Sequence, residues 1–284
     1  MKYYIVDVFA EEKYQGNQLL VVLAEEGLSS EEQQAIAKEI NFAETTFILG
    51  NKQGNGGYNV RIWTAGVGEV PFAGHPTLGT AYVIHHFLEH EENNKVILNL
   101  KVGPIPVTVN EKGLTMSQNP PVFEDCVSRE DICTVFNLSP EDIREDLPLQ
   151  RVSTGLAAII VPLTSREALK KVFCDQRAFK EYITRCPHGN RLHLFFTETA
   201  DHLLAARCLT EDFLEDAATG SANGDLAGYL LQYRYWDEDE ISYTVHQGED
   251  MGRPSCLYIH AKKDPEWVIE VSGNCFLVAE GEWY

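Results

Sequence analysis

The chain has 284 residues, 44% of them hydrophobic and 10% aromatic, enough for a packed core and for one large or two modest domains. Its 23 Lys and Arg stand against 43 Asp and Glu, a formal charge of −20 that repels phosphate backbones and makes nucleic acid a poor partner. No stretch approaches the roughly 20 apolar residues of a membrane helix, and the first residues lack a signal peptide's apolar run and cleavage site. The expectation is a cytoplasmic protein without a membrane partner.

Apolar, β-rich runs predict strands at residues 3–9, 19–23, 46–49, 58–63, 95–100, 105–109, 157–162, 193–196, 205–209, 241–246, 255–260 and 268–272. Helices are fewer. Ser29-Ser30-Glu31-Glu32-Gln33 supplies a serine cap with acids in the first turn, ahead of Ile36 and Ile40. Two further helices, at about 76–87 and about 222–233, are apolar nearly all round and belong inside something. His85, His86 and His90 fall on the first of these; with no companion Cys or acidic motif, they suit a solvated or packing role better than a metal site. Ser117-Gln118-Asn119-Pro120-Pro121 breaks the pattern and reads as a hinge, after which Ser128-Arg129-Glu130-Asp131 caps a helix through Ile132 to Phe136. The seven cysteines (Cys126, Cys133, Cys174, Cys186, Cys208, Cys256 and Cys275) form an odd set with no C-x-x-C pair, so neither a disulfide framework nor a zinc knuckle is indicated.

The chain also matches itself. Arg61, Thr64, Glu69, Gly74 and Ala81 align without gaps onto Arg207, Thr210, Glu215, Gly220 and Ala227, every pair separated by the same 146 positions. Strand-loop-helix units resemble one another by chance, but with the architecture around them duplication is the better account. It predicts an N-terminal lobe over 1–118, rejoined by a last strand at about 271–284, and a C-terminal lobe over 119–270.

Each repeat opens its buried helix with a glycine, in Ala73-Gly74-His75-Pro76-Thr77 and in Thr219-Gly220-Ser221-Ala222-Asn223. Glycine lets a ligand approach unpaired helix N–H groups, and Pro76 has no N–H to satisfy. Either start is an ordinary cap or an anion cradle; two cradles facing one cleft would hold a carboxylate inside a protein of charge −20. Glu44, in Asn41-Phe42-Ala43-Glu44-Thr45-Thr46-Phe47, is either a surface residue at a strand start or a carboxyl whose pKa burial raises toward acid/base use. Asp216 either caps the second helix or bonds a substrate amine or hydroxyl, and His75 is a second proton carrier or a polar group at a helix start.

These blocks resemble one known family in order. Val6-Asp7-Val8-Phe9 with Gly16-Asn17-Gln18-Leu19, the Glu44 segment, Arg61-Ile62-Trp63-Thr64, Pro71-Phe72-Ala73-Gly74-His75-Pro76, Glu215-Asp216-Ala217-Ala218-Thr219-Gly220-Ser221 and Met251-Gly252-Arg253-Pro254 are similar to the signature of the PhzF-like phenazine-biosynthesis family. The chain departs from it at Ala217, Ala43 and Gln18, positions that bear on loop stiffness and pocket shape. The resemblance implies a diaminopimelate-epimerase-like α+β fold of two similar lobes, each a curled, mostly antiparallel sheet around a central helix, and a homodimer. It also implies a cofactor-free isomerase without metal, acting on a small carboxylate substrate. Glu44 is then the acid/base, with His75 and Asp216 also catalytic and Gly74, Thr219, Gly220 and Ser221 binding substrate. A two-thiol racemase on the same fold would need cysteines where Ala73 and Thr219 stand. A non-catalytic relative binding a small carboxylate or a protein is the other alternative.

Overall fold

A computed structural model describes residues 1–24, 28–90, 93–110, 113–186, 192–210 and 214–284. The chain divides into two units, Met1–Ser117 with Ser272–Tyr284, and Gln118–Val271.

In the first unit β1 (Lys2–Val8) and β2 (Asn17–Ala24) pair antiparallel, α1 (Ser30–Ile40) crosses over, and β3 (Glu44–Leu49) runs parallel to β2. Next, β4 (Tyr58–Thr64) turns back against β3 and takes the short strand β5 (Gly68–Val70) beside it. Helix α2 (Gly74–Val83) then leads to β6 (Lys95–Leu100), parallel to β4, and to the antiparallel β7 (Gly103–Asn110) and β8 (Gly113–Ser117). The terminal strand β18 (Cys275–Glu282) pairs antiparallel with β1.

The second unit opens with β9 (Val122–Cys126) and α3 (Arg129–Phe136) and then repeats that order. The strands β10 (Gln150–Ser153) and β11 (Ala158–Pro162) are antiparallel; after α4 (Arg166–Lys171) and α5 (Gln176–Arg185), β12 (Leu192–Ala200) is parallel to β11. Antiparallel β13 (Leu203–Leu209) carries the two-residue β14 (Glu215–Asp216); α6 (Gly220–Gln232) follows, then β15 (Glu240–Gln247) parallel to β13, then β16 (Ser255–Lys262) and β17 (Val268–Gly273). The 146-residue offset reaches side-chain geometry. Arg61 grips Glu69 with two hydrogen bonds of 2.8 and 2.9 Å, and Arg207 grips Glu215 with two of 2.9 and 2.7 Å.

α2 and α6 are apolar nearly all round because each is covered on all sides: nine of the ten α2 residues and twelve of the thirteen in α6 are buried. α2 packs on β1, β2 and β3, and α6 on β10, β11 and β16. Gly79 makes this possible in the first unit, since a Cβ there would lie 2.6 Å from Leu19, 2.7 Å from Val8 and 3.2 Å from Val6. The predicted helix at 76–87 begins two residues earlier and ends sooner, giving way to a π-helical turn over Ile84–Leu88. That turn holds His85 and His86, while His90 lies beyond it at φ 50°. Helices α4 and α5 and the strands β5, β8, β9, β10 and β14 add to the predicted elements. Among the described residues no helix is long and apolar enough to cross a membrane.

Candidate functional site

Glu44 opens β3, opposite Leu19 on β2 and Thr64 on β4. Side chains alternate along a strand, so Glu44, Thr46 and Ile48 share one face. Thr46 accepts a 2.8 Å hydrogen bond from Thr80 of α2, which identifies this as the face toward the central helix. Phe47 belongs to the other face, clustered with Leu20, Val22, Ile36 and Trp63, and Phe42 packs on the same cluster. Strand parity therefore turns the Glu44 carboxylate away from Phe42 and Phe47 to meet α2, with its side chain 19% exposed.

There Glu44 Oε2 lies 3.4 Å from Nε2 of His75, a close approach without an aligned hydrogen bond. His75, the second residue of α2, is 4% exposed, and Asn17 Nδ2 lies 3.2 Å from its Nδ1. Burial drives the His75 pKa down to about 3, against hydrogen bonding with the Gln18 backbone, which works in the opposite direction. The ring is neutral at neutral pH. Asn17 reaches it because Gly16, at φ 70°, turns the chain into β2.

In the second unit Asp216 Oδ2 accepts a 2.6 Å hydrogen bond from the Thr219 hydroxyl. The fully buried Gln247 ties this corner together. Its Nε2 donates to the Asp216 carbonyl (2.8 Å) and to Thr219 Oγ1 (3.0 Å), and its Oε1 accepts from Thr219 N (3.3 Å) and Asn223 Nδ2 (2.9 Å). Gly220 and Ser221 are buried at the start of α6.

The helix starts differ in kind. The N-cap side chains Ser29, Ser128, Ser165 and Asp175 each accept from a backbone amide of α1, α3, α4 or α5. Ala73 and Thr219 give α2 and α6 no such bond, and neither first turn carries an acid. Ala73 has no polar atom to offer, and the Thr219 hydroxyl is engaged by Asp216 and Gln247. These two starts retain the partial positive charge that suits an anion.

The structure thus brings Glu44 together with His75 and Gly74, and Asp216 together with Thr219, Gly220 and Ser221. Asn17 and Gln247, to which the sequence assigned no role, enter as partners. Each lies 24 or more positions from the residues it holds, so only the topology reveals it. Among the described residues no group of three or more His, Cys, Asp or Glu is arranged to hold a metal ion.

The model of the phenazine biosynthesis-like proteins, PhzC-PhzF, matches residues 6–281. The chain belongs to this family. Among its PhzF-family relatives, the trans-2,3-dihydro-3-hydroxyanthranilate isomerase of Pseudomonas aeruginosa is 32% identical over 298 residues, spanning 100% of this chain and 99% of the relative. The PhzF-family phenazine biosynthesis protein of Bacillus anthracis superposes with a TM-score of 0.88 at 26% identity, covering 100% of this chain and 99% of that one. A probable proline racemase from Agrobacterium radiobacter reaches a TM-score of 0.67 at 12% identity over 100% of this chain and 92% of its own, and shows the shared fold alone. With curated relatives that are isomerases across its whole length, the chain is an isomerase of the PhzF family.

Proposed function

We propose that the chain catalyses a cofactor-independent proton shift on a small carboxylate, with Glu44 as the acid/base. The observation that carries this reading is the 3.4 Å approach of Glu44 Oε2 to the neutral His75 at the side-chain-uncapped start of α2. The carboxylate accepts a proton from a substrate carbon and returns it to another carbon from the same face. That gives an isomer with no net change in atoms. His75, kept neutral by burial, serves as a hydrogen-bonding neighbour of the reacting carboxyl and does not store a proton at neutral pH. Amides at the start of α2, beginning with Gly74, hold the substrate carboxylate. We also assign Asp216 and the Thr219-Gly220-Ser221 start of α6 to substrate binding, where the carboxylate of Asp216 suits an amine or hydroxyl donor.

The relative's name supplies a first compound to test: trans-2,3-dihydro-3-hydroxyanthranilate is a carboxylate that also carries an amine and a hydroxyl. Its conversion in D2O, followed by NMR, reads both isomerisation and deuterium uptake. Glu44→Gln preserves shape and hydrogen bonding but cannot carry the proton, so we expect a normally folded protein slowed by about 10²- to 10⁴-fold. Wild-type rates in that variant would sink the proposal. We also assign a homodimer and a cytoplasmic location, the first checked by sedimentation and the second by fractionation.

A further inference from the structure

We propose that Asn17 is a positioning residue whose carboxamide holds His75 Nδ1 and so presents Nε2 to Glu44. This rests on the reading of Glu44 and His75 given above. The geometry follows from two periodicities. Along β2, Asn17 and Leu19 point to the same face. Along α2, His75 and Gly79 lie one turn apart on the same side. Leu19 is one of the side chains against which Gly79 closes, so helix and strand meet there at the least separation a side chain allows. One turn nearer the N-terminus, the same approach sets Asn17 Nδ2 at 3.2 Å from His75 Nδ1.

Asn17 is 5% exposed and His75 4%, so neither can substitute water freely for the other. A buried carboxamide or imidazole left without a partner is costly, and their mutual bond fixes the plane of the ring. A ring whose Nδ1 is engaged has its remaining nitrogen directed along one line, and that nitrogen is the one 3.4 Å from Glu44 Oε2. The carboxamide nitrogen can only donate, so Nδ1 accepts and the neutral ring carries its proton on Nε2, facing Glu44. Without Asn17 only the Gln18 backbone remains to hold the ring, and the two tautomers compete.

The test is ¹⁵N NMR of the histidine-labelled full-length chain, with the His75 signals identified by their loss in His75→Gln. In the wild type we expect ring nitrogen shifts of a single neutral tautomer. Asn17→Leu, similar in size but unable to hydrogen-bond, should give shifts averaged between the two tautomers. Asn17→Asp replaces the amide donor with an oxygen acceptor and should give a single form of the opposite tautomer, with its proton on Nδ1; it also carries the test if Asn17→Leu does not fold. On the substrate that passes the deuterium assay, Asn17→Leu should lower kcat by about 10²-fold with KM little changed, the signature of a misplaced reacting group. An averaged tautomer in the wild type, or an unaltered single tautomer in Asn17→Leu, overturns the proposal. The ring spectrum is read without turnover, so it stands or falls separately from the Glu44 mechanism.

Discussion

Thr219 shows how one side chain can decide the chemistry of a corner. Its hydroxyl donates to Asp216 at 2.6 Å and accepts from Gln247 at 3.0 Å, and it makes no capping bond to the helix it begins. Thr219→Ser keeps the hydroxyl, and we expect it to keep activity. Thr219→Val keeps the shape and loses both bonds, leaving Asp216 and Gln247 each short of a partner. We expect kcat/KM for the exchanging substrate to fall about tenfold or more, equivalent to roughly 1.4 kcal/mol; equal rates for the two variants would remove Asp216 from the site. Glu44, His75, Asp216 and Ser221 stand out in the sequence because the blocks that hold them resemble the family signature. Asp225 does not. It sits fully buried one turn beyond Ser221 and accepts from the amides of Thr154 and Ala158 and from the Thr154 hydroxyl, partners about 70 positions away that leave no mark near it in sequence.

Between elements, the close packing of α2 on β1 and β2 depends on the absence of a side chain at Gly79. A Cβ there would press on Leu19, Val8 and Val6, all fully buried and with no room to retreat. Gly79→Ala gains about 1 kcal/mol of helix propensity, against about 1–3 kcal/mol for overpacking a filled core. We expect a lower urea midpoint and a weakened Asn17–His75 contact; a raised midpoint would mean that the three side chains yield easily. The central helices were legible because an all-apolar helix has few places to go. The missed elements had reasons of two kinds. The strands β5 and β14 have three and two residues, too short for any periodicity to register, and they exist as pairing partners of β4 and β13. For α5 the signal was present: Asp175 caps it, and Phe179 and Tyr182 form its buried stripe.

At the scale of the whole molecule, acid should loosen the fold in two stages. Glu69, held by Arg61 and further by Lys101, has its pKa lowered to about 2, so the stability it provides is complete above about 4.5 and is lost as pH falls toward 2. The buried histidines act earlier. Burial lowers the pKa of His75 and of His193 to about 3. Between the ordinary value of 6.5 and about 3 the unfolded chain binds protons that the folded chain refuses. Stability is therefore full above 6.5 and declines as pH drops through that window, by up to about 1.4 kcal/mol per pH unit for each ring. His193 allows this to be isolated, because it lies in β12 of the second unit, apart from the Glu44 and His75 pair. Its ring is fully buried with 4.6 Å between its centroid and that of Phe136, near Phe179, Tyr182 and Phe195, and neither nitrogen has a hydrogen-bond partner among the described residues. His193→Phe keeps an aromatic ring in an aromatic cluster and removes both unpaired nitrogens. We expect it to be more stable than the wild type by about 1–3 kcal/mol at neutral pH, from urea unfolding. Between about pH 6.5 and pH 5 it should lose about 2 kcal/mol less than the wild type, while its deuterium exchange at neutral pH stays unchanged. A variant that loses stability with acid as steeply as the wild type would show that His193 is protonated in the folded core after all.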